Sequence, residues 1–237
     1  MKKFSVLLCG LLLLLFASGA NAALTTIGTA YFNGAGPEYN LIWDNDNNGN
    51  SVVWLDYTND RINWSDQNAW AAELDSALTI NLSADYTVDW GTNSWRLPST
   101  VDGLYVNSYT GNTTAGYNIT TSEMGHLYYT ELDNKGYYGT NGVNPQPGFG
   151  LNNTGDFNNL IADVYWSGTE YAVYPQYKEA WHFVMLNGRQ TINSKTAASY
   201  GLAVRTAQVS SVPLPGALWL LGSGLIGLAG FRRKKQK

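Results

Sequence analysis

An α+β fold is expected from three features of the sequence. Two segments carry apolar residues at helical spacing, and several short apolar runs are bounded by turn residues. A long stretch rich in Gly, Asn and Pro fits neither period. The first strands are Leu41-Ile42-Trp43 and Val52-Val53-Trp54-Leu55, joined by a polar turn. Ser65 then reads as an N-cap, and Trp70, Leu74, Ala77 and Leu78 recur on one face, predicting a helix over 66–78. Thr120 and Glu123 have capping-box spacing. Met124, Leu127, Tyr128 and Leu132 follow at helical spacing, predicting a second helix over 121–133. Residues 134–159 read as a long irregular loop. Val164-Tyr165-Trp166-Ser167 and Ala180 to Leu186 read as strands, Asn187-Gly188 as a hairpin turn, and Leu202 to Arg205 as a last strand. With no linker or repeat between these elements, residues 23–211 are expected to form a single domain.

The two ends differ from this body. Lys2 and Lys3 precede the apolar run Val6 to Phe16, and Ala20-Asn21-Ala22 follows. This is the layout of a secretory signal peptide over 1–22, with cleavage expected between Ala22 and Ala23. At the other end Val212 to Phe231 form 20 uncharged residues, followed by Arg232, Arg233, Lys234 and Lys235. That run is long enough to cross a bilayer core of about 30 Å. A transmembrane helix is expected over about 214–231, with the basic end at 232–237 cytoplasmic.

Charge and cysteine content exclude several functions. The body keeps seven Lys and Arg against all 18 Asp and Glu, a formal charge of −11. So acidic a surface is a poor phosphate-backbone ligand, so no nucleic-acid partner is expected. Cys9 is the only cysteine and lies in the leader, so the mature body has neither a disulfide nor a thiolate metal site. All 16 Tyr and eight of the nine Trp lie in the body, too many aromatic residues for a chain that stays solvated.

The tail Val212-Pro213-Leu214-Pro215, its Trp219 to Leu228 core and the terminal basic cluster resemble the PEP-CTERM sorting signal of Gram-negative bacteria. Leu214 stands where the name-giving motif has Glu. The resemblance implies recognition by an exosortase-type membrane protease, at Val212, Pro213, Leu214, Pro215, Arg232 and Arg233. It also implies a route through the inner membrane to the cell surface or the exopolysaccharide matrix. In the body, Trp54-Leu55-Asp56, Trp64-Ser65-Asp66, Trp95-Arg96-Leu97-Pro98, Ser122-Glu123-Met124-Gly125-His126, Tyr165-Trp166-Ser167-Gly168 and Ala203-Val204-Arg205 resemble the Lcl C-terminal domain family. That resemblance implies an adhesin-like extracellular module with a C-type-lectin-like fold: two helices, a small antiparallel sheet and long glycan-facing loops.

Candidate chemistry is sparse. Asp44, Asp46 and Asn48, with Gly49, match the opening of a calcium loop. Position 12 is Leu55 rather than Glu, so an Asn/Asp turn between strands is the alternative. Calcium is the only cofactor under consideration, and no catalytic residue is assigned. His126 reads as a solvated helix residue and His182 as a core or edge histidine. Arg96 and Arg205 sit in apolar surroundings, and Glu170 is the anion expected to pair with one of them. Most tryptophans are expected to fill the core. Tyr137, Tyr138, Phe149, Tyr171, Tyr174 and Tyr177 fall in expected loops, where aromatic rings suit the apolar face of a sugar. The expected function is a non-enzymatic, glycan-binding or adhesive surface protein. A glycan hydrolase using two carboxylates and a purely structural matrix protein are the alternatives.

Overall fold

The computed structural model describes residues 24–213. The expected signal peptide with Ala20, Ala22 and Ala23, the span at about 214–231, and Leu214, Pro215, Arg232 and Arg233 lie outside these residues. Among the described residues no helix is long and apolar enough to cross a membrane.

The chain forms β1 (Leu24–Phe32), β2 (Tyr39–Asn47) and β3 (Asn50–Ile62), then α1 (Trp64–Ala77), β4 (Leu78–Leu82) and β5 (Tyr86–Asp89). Two-residue strands β6 (Asn107–Ser108) and β7 (Ala115–Gly116) precede α2 (Glu123–His126), which continues as a π-helical turn, Leu127–Glu131. The remainder is β8 (Val164–Glu170), a 3-10 turn (Pro175–Tyr177), β9 (Glu179–Val184), β10 (Arg189–Ser194), β11 (Ser199–Thr206) and β12 (Gln208–Ser211). Ten strands join one mixed sheet in the order β4-β1-β2-β3-β11-β8-β9-β10-β7-β6, and β12 pairs with β5 separately.

This architecture is mostly β, and it overturns the expected α+β class together with the small sheet of the lectin-like arrangement. Only α1 exceeds a single α-helical turn among the described residues. The second helix fails as a regular α-helix because the ladder slips to i→i+5: Leu132 N–H donates to Leu127 O at 2.9 Å. Its cap also moves. Ser122 Oγ, not Thr120, accepts from Gly125 N–H at 3.1 Å. Glu123 is drawn away from a capping box to Arg96. At α1 the cap is Asn63 rather than Ser65, with Asn63 Oδ1 accepting from Asp66 N–H at 3.0 Å.

The central strands are apolar on both faces, and the two-residue period sorts them. Ile42, Val52, Trp54, Leu202 and Val204 pack with Met124, Leu127, Tyr128, Phe157, Tyr165 and Phe183. The alternate residues Leu41, Val53, Leu55 and Ala203 pack on the other side with Ile27, Ala30, Leu74 and Trp95. Trp54, Trp95, Trp166 and Trp181 are all buried, as core filling requires. Trp70 is half-buried against the second of these groups and against a smaller one of Ala71, Leu97, Trp166 and Ala180.

Candidate functional site

The β2–β3 hairpin holds the calcium-loop residues, and it uses their polar atoms internally. Asn48 and Gly49 form its turn with φ of 53° and 82°, a left-handed pair that Asn-Gly adopts readily. Asp44 is fully buried. Its Oδ2 accepts from Asn47 Nδ2 at 2.8 Å and from Trp54 Nε1 at 3.2 Å. Burial pushes its carboxyl above the usual range despite these bonds. Asp46 Oδ1 accepts from Gly49 N–H at 2.9 Å, closing the turn from its own side chain. Among the described residues no group of three or more His, Cys, Asp or Glu side chains is placed to hold a metal ion.

The expected ion pair is corrected. Glu170 meets neither Arg96 nor Arg205; it pairs with Lys195, whose ammonium also lies 4.3 Å from the Trp64 ring centre. Arg96 instead forms a two-pronged pair with Glu123, Nη1 to Oε2 at 2.6 Å and Nη2 to Oε1 at 2.7 Å. Glu123 Oε2 accepts from Ser99 N–H as well, so it ties the 95–99 segment to the start of α2. Arg205 pairs with Asp75 at 2.8 Å and covers Trp90. Sequence distance misled here. Glu123 appeared committed to its own helix, and only the packing of α2 against Arg96 reveals its second use.

His126 is not solvated: its ring lies 3.2 Å from Glu131 Oε1 and is mostly covered. His182 is buried on β9, and burial lowers it to about 4, with the Arg189 charge a smaller cause.

The aromatic candidates separate into a cleft and a ridge. The cleft, of about 490 Å³, is lined by Asn107, Ser108, Tyr109, Tyr117, Tyr138 and Arg189. The Tyr109 and Tyr138 rings stack at 13° with centres 6.0 Å apart, and Tyr117 lies 5.0 Å from Tyr138. Tyr137 and Phe149 do not line the cleft; Tyr137 packs edge-on to Tyr138 and to Phe149. Asn118 joins both walls: its Nδ2 donates to Tyr109 O at 2.7 Å and to Tyr138 O at 2.9 Å. The loop carrying Tyr138 is fastened to the β9–β10 turn, where Tyr137 N–H donates to Asn187 O. At the same turn Tyr129 Oη donates to Gly188 O at 2.6 Å. Gly188 has φ of 78°, and a Cβ there would collide with Tyr129 Oη, so this approach requires glycine.

The ridge runs from Tyr177 and Tyr174 to Tyr171. Tyr174 and Tyr177 are exposed, whereas Tyr171 is buried against Trp181 and accepts from Tyr105 N–H at 3.3 Å. Tyr171 is therefore removed from the set of rings open to a ligand. Tyr105 also stacks on Trp181 and is exposed. Tyr105, Tyr109, Tyr117 and Arg189 were absent from the sequence expectations. The tyrosines lie in a Gly/Ser/Thr-rich segment that carried the same signal as the chosen loops. Arg189 had no such signal, because its role depends on what β6 and β7 bring beside it.

At the C-terminal edge, β12 runs directly into the tail. Ser211 pairs with Tyr86, and Val212 N–H donates to Asp85 O at 2.8 Å. No curated protein and no solved structure matches the chain significantly. Residues 211–234 match the PEP-CTERM protein-sorting motif, the mark of a protein sorted by an exosortase system and consistent with a secreted surface protein.

Proposed function

We propose that the exported body is a non-enzymatic glycan-binding or adhesive protein of the cell surface or exopolysaccharide matrix. It is held in the inner membrane by its tail until an exosortase-type protease processes it. The observation that carries this reading is the cleft between Tyr109, Tyr117 and Tyr138. Stacked and tilted rings offer flat apolar faces to a sugar, and Asn107 and Ser108 supply hydrogen-bonding groups for hydroxyls. The lining of this cleft contains no Asp or Glu, whereas glycoside hydrolysis uses two carboxylates about 5–9.5 Å apart. The motif resemblance of the body to the Lcl C-terminal domain supports an adhesive role.

The test is a glycan array probed with the full-length chain in detergent, alongside Tyr138→Ala and Tyr109→Ala. Saturable binding lost in both variants, without release of shortened glycan, is the expected result. Silence across the array, or steady product release, overturns the reading.

A further inference from the structure

Of the seven body cations, four have a carboxylate within 4 Å: Arg61, Arg96, Lys195 and Arg205. Lys135, Lys178 and Arg189 have none among the described residues, and of these only Arg189 is half-buried. A guanidinium withdrawn from water ordinarily acquires a carboxylate or several strong hydrogen bonds. Arg189 has neither. Nη2 donates to Tyr105 Oη and Asn107 Oδ1, both at 3.4 Å, far longer than the 2.7–2.9 Å typical of a charged donor. Among the described residues Nε is buried without a partner and Nη1 makes no hydrogen bond. The other residues lining the cleft, Asn107, Ser108, Tyr109, Tyr117 and Tyr138, are uncharged.

We propose that this cleft takes an acidic sugar, a uronic acid unit, whose carboxylate Arg189 receives while Tyr109, Tyr117 and Tyr138 hold the ring. The proposal rests on the glycan-binding reading above and specifies its ligand class. The planar fork of arginine matches a carboxylate with two parallel N–H donors. Tyr105 and Asn107 hold the guanidinium by weak contacts that orient it without neutralising it. Two titratable groups, Tyr117 and His182, respond to the same charge. Arg189 opposes the rise that burial imposes on the Tyr117 phenol, and it adds to the fall of His182, which is neutral at neutral pH. His182 therefore adds no second cation beside the cleft. The body's charge of −11 opposes polyanions at long range. That repulsion is screened beyond about 8 Å at physiological salt, while a partly buried pair is screened much less. Local pairing therefore decides whether a uronate stays.

The test uses the full-length chain in detergent with EDTA present, so that no divalent cation bridges acidic sugar to acidic protein. Probes are oligogalacturonate, its methyl ester, neutral galacto-oligosaccharide and a sulfated galactan without uronate. The expected result is saturable binding of oligogalacturonate, weakened about tenfold or more by esterification and by Arg189→Gln. Arg189→Lys should restore only part of the affinity, because an ammonium lacks the fork. The ester comparison leaves the protein unaltered, so it decides the matter even if the variant folds poorly. Equal binding of acid and ester, or equal binding of the sulfated galactan, overturns the uronate assignment and leaves the glycan-binding reading intact. Binding of none of the four probes overturns the uronate assignment. Silence on the wider array as well overturns both.

Discussion

Replacing Glu123 by Gln removes one charge and one good acceptor from a junction that holds two parts of the chain together. Glu123 accepts from both prongs of Arg96, at 2.6 and 2.7 Å, and from Ser99 N–H at 2.6 Å. Its side chain is 9% exposed, whereas that of Arg96 is 39% exposed. A hydrogen bond to a charged group contributes about 1.5–3 kcal/mol, and breaking a fully buried pair costs about 3–5 kcal/mol. Arg96 can regain water once its partner is neutral, which lowers the cost. The Gln amide also turns donors toward a donor fork, which raises it. The expected loss is about 2–3 kcal/mol. At about 2–4 °C per kcal/mol for a domain of this size, the melting temperature falls by about 4–12 °C. Urea unfolding of the full chain in detergent, with Arg96→Met and the double variant, reads the interaction directly. A single-variant loss under about 0.5 kcal/mol, or a coupling near zero, refutes the claim that this pair fastens α2 to the 95–99 segment.

Asp163→Asn removes the partner of Arg61, but that contact is 3.8 Å long and the arginine side chain is half exposed. Its loss should change stability by under about 0.5 kcal/mol in the same urea experiment. Gly49→Ala places a Cβ at φ of 82° in the β2–β3 turn, where nothing lies within 4 Å of it, so only backbone strain opposes the change. A destabilisation of about 1 kcal/mol is expected by thermal melting, against near neutrality for an exposed position with negative φ. His182 titrates near 4 when folded against 6.5 unfolded, so the unfolded chain binds the extra proton first as pH falls. Its contribution is absent above about pH 6.5, and stability declines by up to about 3 kcal/mol as pH drops toward 4. His182→Gln should remove that slope relative to the parent, while an unchanged slope assigns it elsewhere. Asn118→Ala removes the bonds that join the Tyr109 and Tyr138 backbones and leaves alanine at φ of 60°. It should reduce glycan affinity severalfold while the far-ultraviolet spectrum is retained.

Local chemistry was legible where a short segment decides its own shape. Leu41-Ile42-Trp43, Val52 to Leu55, Val164 to Ser167 and Leu202 to Arg205 are strands as expected, because β-branched and aromatic runs bounded by turn residues suit a pleated surface. The first helix is also present, shifted by its true cap at Asn63. The strands β1, β4, β5 and β12 escaped notice. In β1 the register shifts between Thr26 and Gly28, which breaks the alternation that marks a strand. Strand β4 alternates apolar and polar residues but starts at Leu78, where the expected helix was still running, and β5 has only four residues, so their pairing with β1 and β12 is what defines them.

The amino-acid sequence by itself determined the acidic, cysteine-free character of residues 24–213 and the sorting motif of the tail, since each is a matter of composition and order along the chain. It also determined the Asn48-Gly49 turn, because left-handed backbone at two successive residues is a local demand. Only the tertiary structure decided that ten strands share one sheet, and that Glu123 belongs to Arg96 and Glu170 to Lys195. It alone placed Arg189, with no counter-charge among the described residues, beside tyrosines drawn from three separate segments. Charge pairing and ring packing act through space over a few ångströms. Partners tens of residues apart are therefore chosen by the fold and not by the spacing of letters.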